Sequence, residues 1–291
     1  MAIRLFWGNY GKICVSELIG TYALVVAGPS SIILLSTLSL SSTPEALYVV
    51  ALTFGVSVSV IVILLREHSG AVINPALTLA AASAQLLRRN LVIPYLLFQT
   101  AGGILAGLTL RLVFTPLGDA TSLGSTKLAA SVSPIMGIGL EALGTFVLAV
   151  SALAATAWIS RAGLQGLAVG GTLTILIILI GPLTGAGFNP ARSLGPALAS
   201  GYFSNFYVYV IGPFVGALLA GLLFRQIHAA RNPSPVRNDS GKTQAWPLQV
   251  HLDGLGKNNF PQTIDRVAVA KALERQAHMV PNSRNLASFA N

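Results

Sequence analysis

Ser69–Thr78 reads SGAVINPALT, and Thr184–Ser193 reads TGAGFNPARS. Each is a small-residue lead followed by Asn-Pro-Ala. Asn is a favoured N-cap, because its side-chain oxygen accepts from the unpaired N–H groups of a first helical turn. Proline suits the next position, where its missing N–H costs nothing and its fixed φ already fits a helix. Asn74-Pro75-Ala76 and Asn189-Pro190-Ala191 therefore each predict a helix start. The first helix can run from Pro75 to about Ala84, before Gln85, Arg88 and Arg89. The second can run from Pro190 to about Ser200, before Gly201. Helices of that length rise ~15 Å, half of a hydrocarbon core ~30 Å thick. Two of them set N-terminus to N-terminus would cross it once.

The rest of the 291-residue chain fits a bilayer. It is 53% hydrophobic and only 9% charged, with mean hydropathy +0.71, whereas a soluble domain carries about 25% charged residues. Six long apolar stretches fall at about Ile13–Leu35, Ala46–Leu65, Leu91–Phe114, Ile135–Ile159, Leu164–Leu183 and Phe206–Ile227. Each is near the ~20 residues a spanning helix needs. Arg4 and Lys12 precede the first stretch as they would in a signal peptide. Glu17 interrupts its apolar run, however, and its sequence is reused later, so it reads as a retained helix. The expected fold class is an all-α membrane protein with six transmembrane helices and two re-entrant half-helices.

The half-helices belong to an internal repeat. Glu17-Leu-Ile-Gly-Thr-Tyr22 matches Glu141-Ala-Leu-Gly-Thr-Phe146, and Tyr95–Leu108 resembles Tyr209–Leu222. Each repeat thus holds three spanning helices and one half-helix. Three is odd, so the second repeat enters from the opposite side and the repeats are inverted. Arg4, Lys12, Arg66, Arg88, Arg89, Arg161, Arg225 and Arg231 fall on one side, and Arg111 and Lys127 on the other. The positive-inside rule then puts both termini in the cytoplasm. The expected organisation is a cytoplasmic N-terminus over 1–12 and a membrane domain over 13–227, with repeats at about 13–114 and 135–227. A cytoplasmic tail over 228–291 is expected to be mostly disordered, with one short helix near Ile264–His278. The formal charge of +9 is shared between membrane part and tail. It fits topology and anionic lipid contact, and no aromatic-basic surface calls for nucleic acid. Gly103–Gly107, Gly166–Gly170 and Gly212–Gly216 stand at the spacing that lets helices approach closely in lipid.

Two inverted half-helices make a site without a catalytic group. Their N-termini carry partial positive charge, and the amides of Asn74 and Asn189 can donate to a passing oxygen. The leads Gly70-Ala71-Val72-Ile73 and Gly185-Ala186-Gly187-Phe188 read as extended, with carbonyls that only a wet cavity could tolerate inside a bilayer. This predicts a narrow aqueous pore with carbonyls on one side, from Gly70, Ala71, Val72, Ile73, Gly185, Gly187 and Phe188, and apolar walls on the other. Glu17 and Glu141, matched acids inside spans, read as structural acceptors for the N–H groups of the lead in their own half. The rival reading, a proton relay, lacks further titratable partners in the spans. Arg192 lies three residues after Asn189, and an intramembrane Arg is a functional candidate by default. His68 reads as a vestibule or loop residue. No metal-ligand cluster, nucleophile-base pair or cofactor motif is legible.

With both motifs intact, the stretch from about Cys14 to Ile227 resembles the aquaporin and aquaglyceroporin family, the major intrinsic proteins. The resemblance implies a right-handed bundle of six tilted helices, a pore in every subunit, a homotetramer, and passive conduction of water or small uncharged solutes. It places Arg192 in an outer selectivity filter with Phe54, Ile177 and Ala186. Water-selective members usually have His at the position of Ile177 and Cys or Thr at that of Ala186. Their absence here suits glycerol, urea or undissociated metalloid hydroxides, which offer hydroxyls on one edge and carbon or little on the other. Ser193 stands where glycerol facilitators usually have Asp, and Val72 where a His commonly precedes the first motif. With Ala197, Tyr209, Val210 and Gly181-Pro182-Leu-Thr-Gly185, the mixture is nearer the nodulin-type branch. The expected setting is the cell membrane.

Three alternatives stay open at this level: a strict water channel, a proton-coupled transporter, and a non-conducting membrane scaffold. One test needs only the sequence. The single thiol is Cys14, and Ala186 stands where mercury-sensitive members carry Cys. Flux should therefore be insensitive to mercuric ion, and Ala186→Cys should make it sensitive. Full block of the unaltered chain would put Cys14 at the pore and overturn the alignment.

Overall fold

The computed structural model describes residues 2–41 and 43–231. They form helices α1 (Ala2–Thr37), α2 (Pro44–Ser69), α3 (Pro75–Ser83), α4 (Arg89–Phe114), α5 (Pro134–Trp158), α6 (Ala162–Thr184), α7 (Pro190–Ser200) and α8 (Val208–Arg231). One 3-10 turn (Asp119–Thr121) lies between α4 and α5. No strand occurs among the described residues. Among the described residues, six helices are long and apolar enough to cross a membrane; α3 and α7 are the two short ones.

Both short helices begin as their sequences dictate. Asn74 is extended (φ −155°), and its Oδ1 accepts from Ala76 N at 2.8 Å and Leu77 N at 3.4 Å. Asn189 (φ −145°) caps α7 through Ala191 N at 3.0 Å and Arg192 N at 3.3 Å. In both cases Pro is the first helical residue. The helices before the leads end alike. Gly70 and Gly185 adopt left-handed φ of 84° and 79°, and their N–H groups donate back to the Arg66 and Gly181 carbonyls. That conformation has no Cβ penalty in glycine.

At the N-terminal end, α1 starts at Ala2 and runs unbroken to Thr37, and its candidate membrane span is Tyr10–Thr37. No proline interrupts it before Pro29, and Gly8 and Gly11 are tolerated where flanking residues favour helix. At the other end, α8 continues through His228 to Arg231. The rest of the expected tail, including the short helix near Ile264–His278, lies outside the described residues.

The repeats interlock. Within the first, α1 packs on α2 and α4; within the second, α5 packs on α6 and α8. Across the repeats, α2 packs on α6, α7 lies against α4 and α3 against α8. Each half-helix is therefore bedded on the last spanning helix of the opposite repeat. The small residues sit at these contacts. A Cβ on Gly103 would overlap the Ala191 carbonyl, and one on Gly107 would overlap Gly195. Gly166 and Gly170 likewise face the Ser59 and Gly55 carbonyls on α2, and Gly212 and Gly216 face Ile138 and Ala142 on α5. Close approach replaces the hydrophobic driving force that helices lack in lipid.

Arg66 Nη1 donates to the Ser160 carbonyl at 2.7 Å, and Asn90 Nδ2 to Tyr10 Oη at 2.7 Å. These bonds hold the end of α2 to the α5–α6 turn, and the start of α1 to that of α4, on one face of the bundle.

Gly103→Ala should push α4 off α7 and cost about 1–3 kcal/mol, the range for overpacking a tight contact. Gly139→Ala is the control, since nothing lies within 4 Å of where its Cβ would stand. Thermal unfolding in detergent should separate the two; equal midpoints would refute the packing argument.

Candidate functional site

The two leads are not extended, as their sequences suggest, but left-handed. Ala71 and Ile73 have φ of 50° and 46°, and Ala186 and Phe188 have 47° and 49°. Left-handed backbone outside glycine costs about 1–3 kcal/mol per residue, so something must hold it. The holders are Glu17 and Glu141, both fully buried. Glu17 accepts from Val72 N at 3.0 Å, Ile73 N at 2.7 Å, Ser69 Oγ at 2.6 Å and Gln99 Nε2 at 2.7 Å. Glu141 accepts from Gly187 N at 2.9 Å, Phe188 N at 2.7 Å and Thr184 Oγ1 at 2.6 Å. Each lead turns its N–H groups toward a carboxylate. Tyr95 and Tyr209 hold the same corners by donating to the Ser69 and Thr184 carbonyls at 2.5 and 2.7 Å.

At the meeting of the half-helices, the halves are bonded to each other. Asn74 Nδ2 donates to the Phe188 carbonyl, and Asn189 Nδ2 to the Ile73 carbonyl, both at 2.9 Å. An amide has two N–H donors, so each Asn keeps a second one while the first locks the opposite lead. The Ile73 and Phe188 carbonyls each accept one of these bonds, which leaves each a second lone pair, and both residues line the cavity. Gly185 departs from the expected set of pore-lining carbonyls. It does not line the cavity, and it packs against the backbone of Thr126 and Lys127.

A cavity of about 100 Å³ runs along this seam. Asn74, Asn189, Gly70, Ala71, Val72 and Gly187 line it together with Phe54, Ala186 and Arg192. Its other wall is apolar, from Leu24, Val58, Leu148, Leu153 and Leu173 among others. Ile177 is buried in the same apolar cluster as Phe54 and Ala186 but does not line this cavity. Its place in a filter rests on the resemblance alone. Cys14 is buried and stands off the cavity as well.

Arg192 is 2% exposed, and its guanidinium lies 5.0 Å from the Phe54 ring centroid. Its Nη1 donates to the Gly124 carbonyl at 3.1 Å. Its buried Nε has no hydrogen-bond partner among the described residues. One edge of the cation is thus fixed by protein, and a donor remains in a group that lines the cavity.

Sequence reasoning missed four supporting residues. Gln99 bridges Glu17 and Thr78, accepting from Thr78 Oγ1 at 3.0 Å; a lone amide inside an apolar span was the available signal. Ser69 and Thr184, the first residues of the repeated stretches, bond to their own glutamates. Gly124 acts through its backbone, and no residue type announces that. The fully buried Leu123 anchors it, packed with Ile33 and Leu110.

This is the architecture of a membrane channel: a wet seam between two half-helices in a six-span bundle. A family model described as "Major intrinsic protein" matches residues 7–224, and the chain belongs to that family. Aquaporin NIP2-1 of Arabidopsis thaliana is 34% identical over 235 residues, covering 78% of this chain and 79% of that protein. Nodulin-26 of Glycine max is 34% identical over 224 residues, covering 75% and 79%. The X-ray structure of the aquaglyceroporin from Plasmodium falciparum is similar in fold, with TM-score 0.65 at 20% identity over 76% of this chain and 98% of that one. The chain is an integral, multi-pass channel for water and small solutes, not an enzyme, and its resemblance lies with the nodulin-type branch.

Glu17→Gln replaces an acceptor that holds four donors by a group that must point an N–H at one of them. It should cost about 3 kcal/mol or more, the scale of an unmade bond to a buried charged group. Glu141→Gln, with three donors, should cost less. Folded yield and unfolding temperature in detergent test the order, and equal, negligible losses would remove the carboxylates from their supporting role.

Proposed function

We propose that this channel conducts glycerol, urea or undissociated metalloid hydroxides along with water, and rejects protons and ions. The observation carrying the reading is the cavity-lining Arg192, with its unpaired Nε, beside the Phe54 ring and the small Ala186. Phe54, Ile177, Ala186 and Arg192 form the filter in this reading. A polyol lays its carbon edge on Phe54 and Ile177 and its hydroxyls on the guanidinium. It then passes the free N–H groups of Asn74 and Asn189 and the remaining lead carbonyls, exchanging water hydrogen bonds for these. Cations and protons meet the Arg192 charge and the positive ends of α3 and α7.

The relatives named Aquaporin NIP2-1 and Nodulin-26 support placing the chain in the nodulin-type branch. The assembly proposed is a homotetramer in the cell membrane with both termini cytoplasmic, following the placement of Lys and Arg. In this reading the channel occupies about 13–227, with 1–12 a cytoplasmic N-terminus and 228–291 a cytoplasmic tail.

Stopped-flow light scattering on proteoliposomes tests the substrate. Glycerol, urea or boric acid flux should exceed the bare-lipid control, with no protein-dependent proton leak to an entrapped pH dye. Ile177→His with Ala186→Cys should suppress glycerol flux about tenfold, equivalent to ~1.4 kcal/mol of barrier, and leave water flux largely intact. Water conduction without any of the three solutes would mean a strict water channel. A proton leak that scales with protein would reject the exclusion mechanism.

A further inference from the structure

Phe54 stands beside Arg192 because another residue leaves it room. A Cβ added at Gly28 of α1 would overlap Cε1, Cζ and Cδ1 of the Phe54 ring, and these are the three nearest atoms it would meet. The ring therefore rests on the bare Cα of Gly28. The next residue serves the opposite wall. Gly124, whose carbonyl holds Arg192 Nη1, lies against Pro29 so closely that a Cβ there would stand 2.8 Å from Pro29 Cβ and 2.9 Å from its Cα. Gly124 is also left-handed, with φ of 71°. Two consecutive residues of α1, neither lining the cavity, thus back both sides of the constriction.

We propose that Gly28 is a specificity-determining positioning residue: its missing side chain sets how far the Phe54 ring stands back from Arg192, with Pro29 as the stop for the Gly124 carbonyl. The proposal rests on the filter reading of Phe54 and Arg192 given above. A methyl group at Gly28 must displace the ring. Phe54 is buried at 4% exposure and lines the cavity, so the free space beside the ring is the cavity itself. The ring moves inward and narrows the passage, which penalises a larger solute more than water.

The readout is the ratio of glycerol to water permeability in proteoliposomes, normalised to protein. A merely structural role would lower both fluxes together and leave this ratio alone. Gly28→Ala should lower the ratio about tenfold. Phe54→Ala should raise it. Gly28→Ala added to Phe54→Ala should change the ratio by less than about twofold, because the group it collides with is gone and the two effects are coupled through one contact. An unchanged ratio in Gly28→Ala, or a double variant unlike Phe54→Ala, overturns the proposal. Should Gly28→Ala not reach the membrane, the double variant decides alone by the same criterion. If Phe54→Ala itself leaves the ratio unmoved, the filter reading fails. If it moves the ratio and Gly28→Ala does not, only the role of Gly28 fails.

Discussion

Backbone that leaves a helix inside a bilayer must find its hydrogen bonds within the protein, since hydrocarbon offers none. Everything at the centre of this channel follows from that constraint. Two leads break the helical ladder, and their N–H groups turn onto Glu17 and Glu141. The turn forces Ile73 and Phe188 into left-handed backbone. With the N–H groups directed at the carboxylates, both leads line the cavity along the seam. A residue type that usually marks a proton pathway in membranes here holds backbone.

The two halves depend on each other. Each motif Asn caps its own half-helix with its oxygen and holds the opposite lead with its nitrogen. Each half-helix is bedded on the opposite repeat, α7 on α4 and α3 on α8. Neither half presents a complete site alone, and the seam exists only where the repeats interlock. Close contacts through Gly103, Gly107 and Gly195 bring the backbones near enough for this.

The halves have also diverged around the shared plan. In the first, Thr21 donates to the Glu17 carbonyl and Thr78 to Gln99, which reaches Glu17. In the second, Pro213 stands four residues after Tyr209, as Gln99 does after Tyr95. Among the described residues Glu141 accordingly has no side-chain amide donor to match Gln99, and the buried hydroxyls of Thr145 and Ser193 have no partner. The half that carries Arg192 is the less fully bonded one, an asymmetry of side chains on a symmetric backbone plan.

What the sequence determined by itself is local or periodic. Asn-Pro-Ala twice, six apolar runs of spanning length and a matched Glu17/Glu141 pair were enough for the inverted six-span architecture and for the ends of α3 and α7 within a residue. Caps, helix breakers and apolar length act through neighbours in the chain, so they can be read along it. The tertiary structure alone decided the left-handed path of the leads, the bonds that occupy the Ile73 and Phe188 carbonyls, and the absence of Ile177 and Gly185 from the cavity. It also decided that Gly124 would hold Arg192 and that Gly28 would make room for Phe54. Those facts belong to contacts between segments far apart in sequence, made by backbone atoms and by missing side chains, and the identity of one residue does not name the partner it will meet.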